Sequence, residues 1–456
     1  GALKVRLREK LPKSCCEEMD SPSAFSEKYV PGSDADSSDI FKFPYTIDNE
    51  TLDFIREHGR IMFIIRGPPG TGKDSLSSML ADCYKTASVF SADSYFNDTF
   101  AKCRRDSGSL KMSHEYCQKK VRNACIKGIH PIIVKNTHMR KFEVQKYVDF
   151  AAEYNYTIIM ALTTHKMEVT PEILAQSNTK GLSVSYFQRR LKQWEDFIPI
   201  NTGWFLNIED SSFLLKQVQI YLNHLLKDGK FCRCLDIFDE VQFRGYFKPR
   251  KLLYCVAACG ENNAPDEIRS YYKSDSVKEH YGECFPVVIQ GYIVTLSYVA
   301  ALVYLNETMR DLVFIKCNDT ASTEDDELES LTSALASVQV SEDNFKKHCS
   351  TIKFEYSSKS TFYQEEDKKR EDININNCSY MILAQHNKNE AEPPKKLINL
   401  FSELLSHEAD GNGIIKLDKF YLIEGRFRYI RLPDNAWLIR PSTDLSFKTI
   451  FTGLYV

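Results

Sequence analysis

Apolar residues in the first half of the chain come in short solid runs, each followed by a stretch in which they recur every three to four positions. That change of period separates strand from helix in a sequence. The run RIMFIIR (60–66) reads as a buried strand, GPPGTGK (67–73) as a glycine loop and DSLSSMLADCY (74–84) as a helix. A second strand at Ala87–Phe90 leads into SADSYF (91–96). A helix over about 114–127, a strand PIIVKNTH (131–138), a helix over about 141–154 and a strand YTIIMALTT (156–164) continue the alternation. Ordered structure is expected from Phe41, with Asp48-Asn49-Glu50-Thr51 opening a helix ahead of LDFIREHG. Strands alternating with helices predict a parallel sheet with helices on both faces. This α/β unit is expected over residues 41–228.

The second half is patterned differently. Residues 235–317 and 378–456 read as strands and helices of an α+β domain, so the second unit is expected over 235–456. Between its halves, about 318–377, lies a polar stretch with TEDDELE and YQEEDKKRED, whose charge density reads as an insertion. Residues 1–40 mix charge with Ser, Pro and Gly without periodicity and read as a tail opened by a cloning remnant, Gly1-Ala2. The longest apolar run, FPVVIQGYIVTLSYVAALVY (285–304), carries Pro286, Gln290 and Gly291 among β-branched and aromatic residues. Two buried strands, or one long bent one, fit it better than a helix in lipid.

Composition narrows the field. The 456 residues are 43% hydrophobic and 27% charged, a globular profile with room for two or three cores. A net charge of −3 excludes a global positive field, so any RNA contact must come from a local groove. The 14 cysteines are scattered and read as reduced thiols of a cytoplasmic protein. Cys232/Cys234 and Cys255/Cys259 lack His partners at zinc spacing, so no metal site is expected from them.

The sharpest chemical signal is Gly67-x-x-Gly70-Thr71-Gly72-Lys73, a P-loop between a predicted strand and a predicted helix. Glycines let backbone N–H groups turn inward, the helix N-terminus adds its positive dipole end, and Lys73 reaches the outer phosphates of ATP or GTP. Asp74 and Ser75 complete the expected nucleotide-binding set. The motif normally carries Ser or Thr after the lysine, whose hydroxyl binds Mg²⁺; here Asp74 stands there. The third strand ends in Lys135, a cation near the same sheet edge. An ammonium from Lys135 is therefore expected to pair with Asp74 and occupy the metal's region, which makes Mg²⁺ doubtful while sparing nucleotide binding.

The order FIIRGPPGTGK, SADSYF, NTH, LKQWEDFIPINTGWFL (191–206) and IFTGLYV (450–456) resembles the 2′,3′-cyclic-nucleotide 3′-phosphodiesterases of vertebrate myelin. The likeness runs over about residues 45–456, the polar stretch excepted. It implies a polynucleotide-kinase-like domain followed by a two-lobed two-histidine phosphoesterase domain. In related kinases an acid placed like Asp93 deprotonates a 5′-hydroxyl, an Asp stands where Lys135 sits, and a lid arginine falls at Arg189 or Arg190. A helix cap is the structural alternative for Asp93, and a solvated helix face for the arginines.

In the second domain the resemblance implies two His-x-Thr/Ser triplets, one imidazole as base and one as acid. By order they fall at Tyr254-Cys255-Val256 and Ser379-Tyr380-Met381. Neither carries a histidine, and Tyr near pKa 10 does not replace a group titrating near neutrality. His348-Cys349-Ser350, inside the polar stretch, is the one alternative triplet. The expectation is a pseudoenzyme that binds nucleotide, an RNA end or a protein partner. The alternatives are an active polynucleotide 5′-hydroxyl kinase and a phosphodiesterase using atypical residues. Relatives end in a lipidation box; the sequence stops at Val456 without its Cys, so membrane association stays open.

Overall fold

The computed structural model describes residues 41–98, 106–166, 169–178, 180–227, 247–250, 252–260, 266–314, 363–364, 372–386, 394–423 and 427–456. The tail, Cys232, Cys234 and His348 lie outside the described residues.

A short helix α1 (Pro44–Ile47) and α2 (Asn49–Glu57) open the fold, the second capped by Asp48, whose side chain accepts from Thr51 N at 2.8 Å. Such a cap contributes about 1 kcal/mol. Then follow β1 (Ile61–Arg66), α3 (Lys73–Cys83), β2 (Ser88–Phe90), α4 (Ser94–Asp98), α5 (Ser107–Ile126), β3 (Ile132–Lys135), α6 (Lys141–Tyr154) and β4 (Thr157–Leu162). The strands form a parallel sheet in the order β2-β3-β1-β4. All six residues of β1 are buried, as a central parallel strand requires. The helix expected from about 114 starts seven residues earlier, because Asp106 caps it by accepting from Ser109 N at 2.8 Å. Two further helices, α7 (Pro171–Ser177) and α8 (Val184–Leu191), lie beyond β4.

The expected boundary near 228 does not coincide with the change of sheet. β5 (Asn201–Phe205) pairs antiparallel with strands of the second unit, β7 (Tyr254–Cys259) and β17 (Leu445–Leu454). The helix after it, α9 (Ile208–Leu225), lays Phe213 and Tyr221 against Phe447 and Tyr292 of that unit. The physical reason is burial on both faces of β5: Trp204 packs with Phe451, while Phe205 stacks on Tyr254 at 4.6 Å.

Among the described residues the second sheet has 11 strands, all its pairings antiparallel. With β8 (Cys284–Val294), β9 (Tyr298–Tyr304) and β12 (Cys378–His386), the strands β17, β5 and β7 close a ring, since β17 pairs with both β5 and β8. The apolar run at 285–304 is thus a hairpin of two strands, and no described helix is long and apolar enough to cross a membrane. The polar stretch ends earlier than residue 377. Ile373–Asn374 pairs with Ile414–Ile415, with Ile373 buried, ahead of β12.

The two sheets meet through hydroxyls. The outer edge of β4 is closed by side chains: Met160 N donates to Tyr281 Oη at 2.9 Å, and Thr452 Oγ1 donates to Ile158 O at 2.7 Å. Tyr455 Oη lies 2.8 Å from Tyr281 Oη and 2.9 Å from Tyr272 Oη. Backbone groups at a buried sheet edge need partners, and these supply them without a further strand.

Candidate functional site

Two regions hold the residues singled out by sequence. The first lies at the C-terminal edge of the parallel sheet, where the glycine loop joins β1 to α3. Gly70 and Gly72 both sit at φ +80°, a conformation costly to other residues. A Cβ on Gly67 would collide with Thr163 Oγ1, so the loop floor rests directly on the residue after β4. Thr71 Oγ1 and Thr163 Oγ1 are 2.5 Å apart and tie loop to floor. Lys73 Nζ donates to the loop's own carbonyls, Gly67 O at 3.0 Å and Pro68 O at 2.8 Å. Burial lowers the Lys73 pKa to about 8; Asp74 opposes the shift, and Arg190, Lys180 and Lys135 reinforce it.

The carboxylate after the lysine is engaged. Lys135 Nζ donates to Asp74 Oδ1 at 2.5 Å, well within the roughly 6 Å over which such charges couple strongly. That hydrogen bond, helped by the charges of Lys135, Lys73 and Lys180, holds the Asp74 carboxyl below its usual range. Asp74 is 89% exposed, so the pair is solvent-screened and contributes little to folding. Its effect is local: an ammonium stands at the carboxylate a divalent cation would need. Ser75 is exposed, and among the described residues no three His, Cys, Asp or Glu side chains group to hold a metal.

Asp93 lies at the exposed end of the β2 loop, where Asn136 Oδ1 accepts from Ala92 N at 2.9 Å. Asn136 in turn lies 3.4 Å from His138 Nε2, and His138 Nδ1 lies 3.0 Å from Ile65 O. Burial drives the His138 pKa down to about 3, so the ring is neutral. A neutral ring facing a carbonyl through Nδ1 donates there and accepts from Asn136 through Nε2. Sequence marked Asp93 but not the Asn136–His138 relay that holds its loop.

The two arginines separate. Arg189 is exposed. Arg190 is half-buried, donates to Gln193 Oε1 at 2.6 Å, and its Nε is buried without a hydrogen-bond partner. Phe187 of the same helix, α8, sits over the loop: a Cβ on Gly70 would meet its ring at 3.8 Å. The helix therefore lies against the glycine loop, and Arg190, with Lys180 and Lys135, is close enough to act on the Lys73 charge.

The second region is the strand pair β7–β12. Met381 pairs with Cys255, so the two side chains share a face. Tyr254 and Val256 therefore point to the opposite face from Ser379 and Met381, and the triplet expected at 379–381 does not meet the first one. The residues that share the face of Tyr254 and Val256 are Tyr380 and Ile382, one position on. Both pairs belong to one apolar cluster with Phe205, Tyr298 and Phe401, whereas Cys255 and Met381 belong to the other. The correction is a parity argument, because a one-residue slip moves every side chain of a strand to the other face.

That shared face is filled. The helix α13 (Pro394–Ser406) covers it, Phe401 lying 5.4 Å from the Tyr380 ring and Ser402 Oγ 3.1 Å from Tyr380 Oη. Tyr254 Oη accepts from Asn201 Nδ2 at 2.9 Å, and burial pushes its pKa up to about 12. Ser379 is buried too, its Oγ donating to Val256 O at 2.8 Å. No described group at these positions titrates near neutral pH as a catalytic pair would.

A parallel α/β sheet with a glycine loop, followed by a ring-closed antiparallel sheet, is the class this architecture defines. Residues 198–329 match the family model described as 2′,3′-cyclic nucleotide 3′-phosphodiesterase, which begins just ahead of β5. The chain is 25% identical to the 2′,3′-cyclic-nucleotide 3′-phosphodiesterase of Rattus norvegicus over 299 residues, 63% of this chain and 69% of the relative. It is 28% identical to NEDD4-binding protein 2 of Homo sapiens over 142 residues, 31% of this chain and 8% of that one. A solved chain from "Structure of the Pnkp1/Rnl/Hen1 RNA repair complex" matches 30% of this chain and 44% of its own length, at 16% identity and a TM-score of 0.26. The family resemblance read from the motifs is thus borne out by the family model and the curated relatives.

Proposed function

We propose that this protein is a catalytically silent relative of the cyclic-nucleotide phosphodiesterases that holds a nucleotide through its P-loop without magnesium. The observation that carries the reading is the 2.5 Å contact between Lys135 and Asp74, an ammonium paired with the carboxylate at the metal position. The loop amides, Lys73 and the half-buried Arg190 support phosphate binding by ATP or GTP. Phosphoryl transfer depends on metal and positioning more than on covalent help from protein, so loss of the metal set removes turnover before it removes affinity. In the second unit, Tyr254, Val256, Tyr380 and Ile382 as buried core support loss of the phosphodiesterase reaction. The retained two-sheet scaffold then serves an RNA end or a protein partner.

The test is calorimetry with ATP and GTP, with and without Mg²⁺, on the chain and on Lys73→Ala. Binding that is indifferent to the metal and weakened in Lys73→Ala is the expected result. Tight binding that requires Mg²⁺ overturns it in favour of a polynucleotide 5′-hydroxyl kinase. Asp93, exposed just after β2, is the observation favouring that second reading, and phosphorylation of a 5′-hydroxyl RNA would establish it.

A further inference from the structure

Arg66, the residue immediately before the glycine loop, is among the most deeply buried side chains described. Among the described residues, its guanidinium makes no hydrogen bond to a carboxylate. Nε donates to His138 O at 2.6 Å, and one terminal nitrogen donates to Met139 O at 3.1 Å and to Glu195 O at 2.8 Å. The Trp194 ring lies 4.2 Å from its Cζ. Burying a cation is costly, and burial lowers its pKa accordingly. Packing β1 would need only an apolar residue there. A planar fork that bonds several carbonyls while stacking on an indole is something neither Lys nor an apolar residue supplies.

The segments it joins are those that carry the phosphate site. His138 and Met139 follow β3, which ends in Lys135, and lie just beyond Asn136. Trp194 and Glu195 follow the lid helix, two turns of chain from Phe187. Gln193, which accepts from Arg190, is the neighbour of Trp194. Two more bonds close the same joint: Glu195 N donates to Met139 O at 2.9 Å, and Glu195 Oε2 accepts from Lys141 N at 2.8 Å.

We propose that Arg66 is a positioning residue that latches the base of the lid to the sheet and thereby aims Arg190 at the bound phosphates. This rests on the nucleotide-binding reading for its ligand, but the latch itself is a property of the empty protein. Arg66→Lys keeps the charge and loses the fork; Trp194→Leu removes the stack from the other side and serves if the first variant does not fold.

Hydrogen exchange read by mass spectrometry on the full chain separates the two ideas. Without nucleotide, amides of 184–195 should exchange at least about tenfold faster in either variant, with β1 and β4 unchanged. Unchanged lid exchange, or equal acceleration throughout the parallel sheet, overturns the latch. In ATP calorimetry, Arg66→Lys should weaken binding severalfold in the natural background and by less than about twofold in Arg190→Ala, the sign of coupling between the two. Additive losses overturn the link to Arg190. A chain that binds no ATP yet shows the lid-specific exchange refutes the nucleotide reading and leaves the latch standing.

Discussion

The glycine-loop site and the β7–β12 face both depart from the residues that the family resemblance implies, yet they do so in opposite directions. At the loop, polar residues stand at the positions in question, and its entrance stays open to water: Asp74 and Ser75 are exposed. On the β7–β12 face, Tyr254, Val256, Tyr380 and Ile382 are buried beneath α13 and locked by Asn201 and Ser402. An open site that changes its charges can still hold a ligand. A filled one has become part of the core. The difference teaches that a departure from a family's motif has two structural outcomes, and that accessibility distinguishes them better than the replaced residues do.

The largest effect should separate the regions by stability. Tyr380→Ala leaves a cavity under Phe401 and should cost about 3–5 kcal/mol, the range for large aromatic truncations in cores. Urea unfolding would show it as a lower midpoint, while nucleotide affinity of the folded fraction stays unchanged. If instead Tyr380→Ala folds with wild-type stability, the face is an open cleft and the contrast collapses. The converse change is next in size. Lys73→Ala should weaken ATP by about 10–100-fold, the value of a charged hydrogen bond or two, with the urea midpoint unmoved. A stability loss there would make the loop lysine a structural clamp for Gly67 and Pro68.

Much of the first region was legible in sequence because its signals are local. Gly70 and Gly72 announce a tight left-handed loop ahead of Lys73 within seven residues, and Asp74 follows directly. Lys135 lies 61 residues away, but the rule that parallel strand ends converge at one edge brought it to Asp74 correctly. The second region was less legible. Its strand NNCSYMILAQ gives no internal signal of which alternate residues face the partner, because Tyr380 and Met381 are both large and apolar enough to be buried. Only pairing with Cys255 fixes the parity. The same holds for β5, whose sheet is decided by partners Tyr254 and Ile450, roughly 50 and 250 residues on. Arg66 was read merely as the end of a strand, since its acceptors lie 72 to 129 residues downstream.

The third prediction sharpens the reading of the loop by reversing it. Asp74→Ser together with Lys135→Asp restores the hydroxyl and the acid expected at a metal-assisted P-loop. The double variant should bind ATP about tenfold more tightly with Mg²⁺ than without, where the natural chain shows no preference, as read by calorimetry at both metal concentrations. If the natural chain already prefers Mg²⁺ by that factor, Lys135 is not standing in for the metal.

The smallest expected effect is a pH dependence, and it tests whether Lys73 is the group that meets the ligand. Burial brings its pKa in the free protein to about 8, below the ordinary lysine value near 10.5. A bound polyphosphate favours the charged ammonium and raises that pKa again. Binding above pH 8 must therefore take up a proton, so affinity falls as pH rises. Between pH 7 and pH 8.5 the protonated fraction drops about fourfold, and the ATP dissociation constant should rise by about that factor. Stability runs the other way. Between about 8 and 10.5 the unfolded chain binds more protons at this residue than the folded one, so this group makes folding more favourable as pH increases. Calorimetry at matched ionic strength across pH 7 to 8.5 would show the weakening in the natural chain and its absence in any residual binding by Lys73→Ala. A flat profile in the natural chain would mean that the ligand does not draw on the Lys73 charge, leaving the loop amides and the neighbouring cations Arg190, Lys180 and Lys135 to set this open site apart from the filled one.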